Sequence, residues 1–290
     1  MPRLALNPAM QAPYHIDPAV GPFTVAAQMT ALFAALEQAP QAASDCYAHL
    51  IPVPSASATA LALRSAGQAL ARDIDAGIGA GAANGYHNRQ HFCEVWLSAL
   101  ALGRLAGLAE EALLTVLFAA LAHDFHHDGR RNGAQPFRLE QMAADAAQPY
   151  LAAAGVPAPV QEKVCVLILS TEVAYGVPYA RQCHVQQQQG AAVAAPAPVA
   201  ARLTALAADA DLARLAVLLA EADLLPSVGL TIAHSERCQQ RLSAEWQLPT
   251  MPVADQLHFV EQQVRGFLAG TFFTPNLHRL RDHLRAGLVA

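Results

Sequence analysis

Apolar residues recur three and four positions apart along most of this chain, the spacing that lines one face of an α-helix. The pattern predicts helices over Thr24 to Gln38 and Ala58 to Ile74, then from the Tyr86–His91 segment to about Ala106, and from about Ala109 into His123-Asp124. Six more follow over Leu139 to Ala154, Pro157 to Val173, Ala205 to Leu224, Val228 to Trp246, Ala254 to Ala269 and Pro275 to Leu288. Runs that alternate apolar and polar residues, as a half-buried strand requires, are hard to find. The expected fold is therefore all-α, a compact bundle of many helices.

Breaks in the pattern mark the connections. Residues 1–22 hold five prolines and no sustained period, which reads as an irregular arm. A loop is expected around Pro52 and Pro54. Gly77 to Gly85 is rich in glycine and alanine but lacks the Gly-Lys-Ser/Thr of a phosphate loop, so it reads as a flexible lead-in to a helix. Gln186-Gln187-Gln188-Gln189-Gly190 and the Ala/Pro tract up to Pro198 read as a low-complexity surface loop. No repeat of fixed period is present, which argues against a solenoid.

Composition agrees with helix and narrows the partners. Hydrophobic residues make up 54% of the 290 positions and charged residues only 14%, enough to bury a large core. Ala and Leu, both strong helix formers, dominate. A formal net charge of −5 lacks the basic face that nucleic-acid backbones require, so no nucleic-acid partner is expected. The start of the chain does not read as a signal peptide. The most apolar run, Ala112 to Ala122, is too short to span a bilayer, and no membrane association is expected. Five scattered cysteines with no Cys-x-x-Cys pair fit a reducing cytoplasm.

The histidines carry the chemistry. Five of the twelve fall in two short segments, His87 with His91, and His123 with His126 and His127. Four residues apart on a helix, His87 and His91 would share a face, although a solvated face can hold such a pair equally well. His123-Asp124 ends a strongly apolar helix, where ionisable groups are costly to bury without a partner. A divalent cation would satisfy them, and so would the helix dipole acting on His123 alone. Asp223 is expected to close another apolar helix, with a shared metal or a salt bridge to Arg214 as its partner.

Taken together, these segments resemble the class I 3′,5′-cyclic nucleotide phosphodiesterases of the HD superfamily. That family carries Tyr-His-Asn-x-x-His and His-Asp-x-x-His-x-Gly-x-x-Asn. Here Tyr86-His87-Asn88-Arg89-Gln90-His91 and His123-Asp124-Phe125-His126-His127-Asp128-Gly129-Arg130-Arg131-Asn132 fill every specified position. The likeness extends to Ile168-Leu169-Ser170-Thr171-Glu172 and Glu221-Ala222-Asp223-Leu224, and covers about residues 84–270.

The resemblance implies residues 1–75 as an arm with supporting helices, and residues 76–290 as a metal-dependent catalytic domain in one continuous unit. It implies that His91, His123, Asp124 and Asp223 hold the tighter of two divalent ions, usually zinc, with Asp124 bridging to magnesium or manganese. His87 would be the general acid, oriented by Glu245, and His127 would contact the phosphate. Tyr86, Gln256 and Phe259 would contact a small-molecule cyclic nucleotide, cyclic AMP or cyclic GMP, with the amide and ring of the last two gripping the purine. Glu94 and Glu172 stand where aspartate is usual, and His126 would remove a negative charge beside the second ion. An HD-type hydrolase of another phosphodiester, or a silent cyclic-nucleotide sensor, would carry much of the same residue set.

Overall fold

The computed structural model describes residues 18–51, 57–190, 200–249 and 251–289. The arm up to residue 17, the turn at Pro52 and Pro54, and the Ala/Pro tract over 191–199 lie outside the described residues. Thirteen α-helices and no strand occur among them, so the all-α expectation is met. We number them α1 (Pro22–Gln38), α2 (Ala42–His49), α3 (Ala58–Asp75), α4 (Arg89–Leu105), α5 (Glu110–Ala122), α6 (Arg138–Ala153), α7 (Ala158–Leu169), α8 (Gly176–Gln189), α9 (Ala205–Ala208), α10 (Ala210–Val228), α11 (Ile232–Glu245), α12 (Val253–Gly266) and α13 (Thr274–Val289).

Local chemistry starts several of them. Ser57, Asn88, Asp209 and Thr231 each precede a helix and accept a hydrogen bond from a backbone N–H of its first turn, satisfying a donor that the helix itself leaves open. The centre is built by α4, α5 and α10. Every residue of α4 from His91 to Gly103 is buried, and every residue of α5 from Leu113 to Ala122. Helices that are covered all round must lie inside a bundle. Here α4 packs along both α5 and α10, while α3 and α7 cover α5 and α8 covers α10. No single helix among the described residues is long and apolar enough to cross a membrane.

Two helices have no counterpart in the predicted set. The first, α2, is tied at its N-terminus by the Asp75 carboxylate, which accepts from Ala43 N–H (3.1 Å) and Ser44 N–H (2.8 Å). That cap comes from the end of α3, beyond any local signal. The second, α8, corrects the low-complexity loop: Gln186 to Gln189 are its last turn, and Gly190 ends it with φ 69°. Glutamine is a good helix former, and Val177, Tyr179, Ala180 and Cys183 give α8 a buried face that outweighs the repetitive composition. Gln187 Nε2 also donates to Leu206 O at 2.7 Å.

Candidate active site

Two imidazoles and two carboxylates converge where α4, α5 and α10 meet. His91 Nε2 lies 3.3 Å from Asp124 Oδ2 and 3.2 Å from Asp223 Oδ1, and His123 Nε2 lies 3.1 Å and 3.6 Å from the same two oxygens. Both rings are buried. His123 Nδ1 is 2.8 Å from Ala120 O, so it carries the proton, donates it to that carbonyl and leaves Nε2 free. That Nε2 and His91 Nδ1 are buried with no hydrogen-bond partner among the described residues.

The charges in this cluster depend on one another. Burial alone lowers the affinity of His91 for a proton, but Asp124 and Asp223 outweigh it and hold its pKa up at about 9. Burial raises both carboxyls, yet His123 and His91 pull Asp124 and Asp223 well below the usual carboxylate range. One ligand atom from each of His91, His123 and Asp223 falls within 4.8 Å of the others, with Asp124 Oδ2 beside both rings, a donor set that fits a divalent cation. Asp124 meets both rings through Oδ2.

Asp223 corrects two expectations. It does not close α10, which runs on to Val228 through Pro226, so its position is a half-buried helical face and not a helix end. Nor does Arg214 pair with it, because that guanidinium donates to Ala106 O at 2.6 Å. His91 and His123 are its partners.

His87 is also placed differently from the shared helix face. It precedes the Asn88 cap, outside α4, and still stands with its ring centroid 5.6 Å from that of His91. Contacts from three segments fix it. Glu245 Oε1 lies 2.5 Å from His87 Nδ1, and Glu245 Oε2 accepts from the N–H groups of Tyr86 (2.7 Å) and His87 (2.9 Å). Burial raises the Glu245 carboxyl, but its bond to His87 brings it down to about 2, so it is ionised. His127 stacks on His87 with centroids 3.9 Å apart. Tyr86 packs its ring 4.5 Å from that of His91.

His127 follows α5 and is not part of its last turn. The chain reverses at His126, a non-glycine residue with φ 67° whose N–H donates to Gly79 O. Gly129 N–H donates to His127 Nδ1 at 3.0 Å, so the neutral ring carries its proton on Nε2. Burial pushes this imidazole down to about 4, keeping it neutral at pH 7. His126 itself is exposed and lines no part of the cavity beside His123, Asp124 and Asp223, so it removes no charge there.

Sequence reasoning missed Asn84. Its Nδ2 donates to His87 O (2.8 Å) and to His127 O (2.9 Å), tying the two histidine segments together. Within the Gly77–Gly85 lead-in, which is largely exposed, Gly79 and Gly81 still leave no room for a side chain. Gly81 has φ 58°, and a Cβ there would come within 2.1 Å of His87 O. Gly81→Ala is expected to displace His87 without touching the four metal donors. Turnover should fall up to about a hundredfold at unchanged metal content, a loss on the scale of misplacing a catalytic group by an ångström. Steady-state kinetics with metal analysis would check it.

The motif asparagine has a structural task. Asn132 Oδ1 accepts from Leu139 N–H, and its Nδ2 donates to Glu140 Oε2 at 2.9 Å. Burial pushes Glu140 up to about 7. Glu172 accepts from Tyr175 and Gly176 N–H and so starts α8. Glu140, Thr171 and Glu172 line a cavity of about 650 Å³ together with His87, His123, Asp124, His127 and Asp223. Arg131 caps the Trp246 indole at 4.2 Å on the same wall.

Gln256 and Phe259 do not line that cavity. Gln256 Nε2 donates to Met251 O at 2.6 Å, within its own helix start, and Phe259 packs against the hydrophobic core. Helical spacing puts the two on α12, but the docking of α12 turns them to other partners.

Solved phosphodiesterase structures share this architecture. LmjPDEB1 in its complex with IBMX superposes with a TM-score of 0.65 over 99% of this chain and 99% of that one, at 13% identity. The phosphodiesterase domain of the RhoPDE fusion protein from the choanoflagellate Salpingoeca rosetta covers 91% of this chain and 89% of its own, with a TM-score of 0.53 and 20% identity. A second structure of the rhodopsin phosphodiesterase domain from Salpingoeca rosetta gives 0.55, with 98% and 93% covered and 17% identity. No family model and no curated protein matches the sequence. The chain has the fold of these phosphodiesterase domains.

Proposed function

We propose that this chain, with a phosphodiesterase-domain fold, is a metal-dependent phosphodiesterase that opens a 3′,5′-cyclic nucleotide to the 5′-monophosphate. The observation that carries it is the pairing of two separate units at one cavity: the His91, His123, Asp124 and Asp223 donors, and the ionised Glu245 behind His87. The four donors would hold a divalent ion, zinc by their nitrogen and oxygen character, and Asp124 would share a second, magnesium or manganese. When bound, such a pair supplies a nucleophile at neutral pH and neutralises charge on the phosphoryl oxygens.

The chain's own groups do the rest. Glu245 holds His87 by Nδ1, leaving Nε2 to donate a proton to the departing 3′ oxygen as general acid. His127, neutral and protonated at Nε2, donates to a phosphoryl oxygen. Burial of the donor cluster keeps competing water from weakening these interactions.

The test is hydrolysis of cyclic AMP, cyclic GMP and a generic phosphodiester by metal-free protein, with zinc, magnesium or manganese restored. Release of a 5′-nucleotide only when metal is present is expected. A second reading, hydrolysis of a non-cyclic phosphodiester, draws on the placement of Gln256 and Phe259 away from the cavity. Activity confined to the generic ester would favour it. With either substrate, Gln256→Ala is expected to leave KM unchanged, and a raised KM for cyclic nucleotides would return Gln256 to the binding site.

A further inference from the structure

One turn beyond His91 on α4, Glu94 meets two residues of α11 in a second buried cluster. Glu94 Oε2 lies 3.3 Å from His234 Nε2, and one ligand atom from each of Glu94, His234 and Cys238 falls within 4.8 Å of the others. All three side chains are buried. His234 and Cys238 are four apart, so α11 presents them on one face. None of the three belongs to the catalytic arrangement described above. We propose that Glu94, His234 and Cys238 form a three-donor zinc site that joins α4 to α11.

The donor chemistry selects the ion. A carboxylate, an imidazole and a thiol together suit a borderline cation such as zinc better than magnesium or calcium, which take oxygen donors. Charge balance agrees. Burial works against ionised Glu94, but His234 and Gln90 hold it below its usual range, so one negative charge is already in place. Cys238 is the reverse: burial, with Glu94 adding to it, keeps the thiol protonated, and it forms no disulfide. A divalent ion would neutralise the carboxylate and a newly formed thiolate together.

Binding balances in protons. The Cys238 S–H bond breaks as the zinc–sulfur bond forms, and that proton leaves to solvent. Arg237 Nη2 lies 3.1 Å from His234 Nδ1 and donates to it, which puts the imidazole proton on Nε2, facing Glu94. Zinc would take Nε2, the proton would move to Nδ1, and Arg237, which is exposed, would swing outward. The site would pin α11, whose last residue is Glu245, against the helix that begins just after His87. It does not depend on the phosphodiesterase assignment.

Cobalt(II) tests it directly, because a thiolate ligand gives a charge-transfer band in the near ultraviolet and the catalytic donors include no cysteine. Full-length metal-free protein titrated with Co2+ is expected to develop that band, to lose it when Zn2+ is added, and to lack it in Cys238→Ser. Should Cys238→Ser fail to fold, His234→Gln takes its place, with a weakened or shifted band expected. No band in the wild-type protein overturns the proposal. So does a band that survives in folded Cys238→Ser, since it would arise from another thiol such as the contacting Cys46 and Cys93 pair.

Discussion

Asp124→Ala is expected to lose bound metal and phosphodiester hydrolysis together, whereas His87→Ala keeps the metal and loses only turnover. The reason lies in what each residue touches. Asp124 Oδ2 is shared between His91 and His123, so its removal takes away a donor and also the charge that organises both rings. Activity should fall about a thousandfold or more, the scale on which electrostatic stabilisation of a transition state is lost. Among the described residues His87 makes no ion pair with the four donors and is held instead by Glu245. Its loss should cost about 10²–10⁴-fold in turnover, the range for a general acid. Metal analysis of both purified variants beside kcat decides the matter, and equal metal loss in the two would abolish this division of roles.

The second large effect is on stability. Glu221, fully buried on α10, accepts from Leu268 N–H, Ala269 N–H at 2.9 Å and Gly270 N–H, and so anchors the connection between α12 and α13. Glu221→Ala would leave three donors without a partner in the interior. A loss of roughly 3–5 kcal/mol in unfolding free energy is expected, since each buried unpaired N–H costs about 1–3 kcal/mol and relaxation recovers part of it. Denaturant unfolding measures it, and a loss within the range of ordinary surface substitutions would show that the segment finds other acceptors.

The same carboxyl adds a pH dependence. Burial lifts it to about 7 from an ordinary value of 4.5, against the pull of the three N–H groups and Arg181. The folded state therefore holds this proton more tightly than the unfolded chain does. Its contribution to stability is complete below about pH 4.5 and is lost as pH rises through about 7. Glu221→Gln, which does not titrate, should show a flatter stability profile across that window than the wild type.

Most helices follow from spacing alone, because apolar positions three and four apart can be buried together only on a helix. The capping residues Asn88, Asp209 and Thr231 act within a few positions of the helices they start, yet the starts expected at Ala205 and Val228 fall at Ala210 and Ile232, behind the Asp209 and Thr231 caps. His123-Asp124 at the end of a strongly apolar run marked a candidate site, since buried ionisable groups need a partner that the run itself does not offer. What spacing could not supply was the approach of distant segments. Glu245 reaches His87 across 158 positions, and Asn84 joins two histidine segments through their carbonyls, which no pattern of side-chain types records.

The boundary between the two kinds of information is physical. Periodicity, caps and composition act over one or two turns, and by themselves they determined the all-helical architecture and the short segments that carry His87, His91, His123, Asp124 and His127. Tertiary packing decided the rest: that His87 stands outside α4, that Asp223 lies within α10, that Asp75 starts α2, and that Gln256 and Phe259 turn away from the cavity. Each of those depends on how whole helices dock, and docking is set by the summed burial of many side chains remote in sequence from the residue concerned.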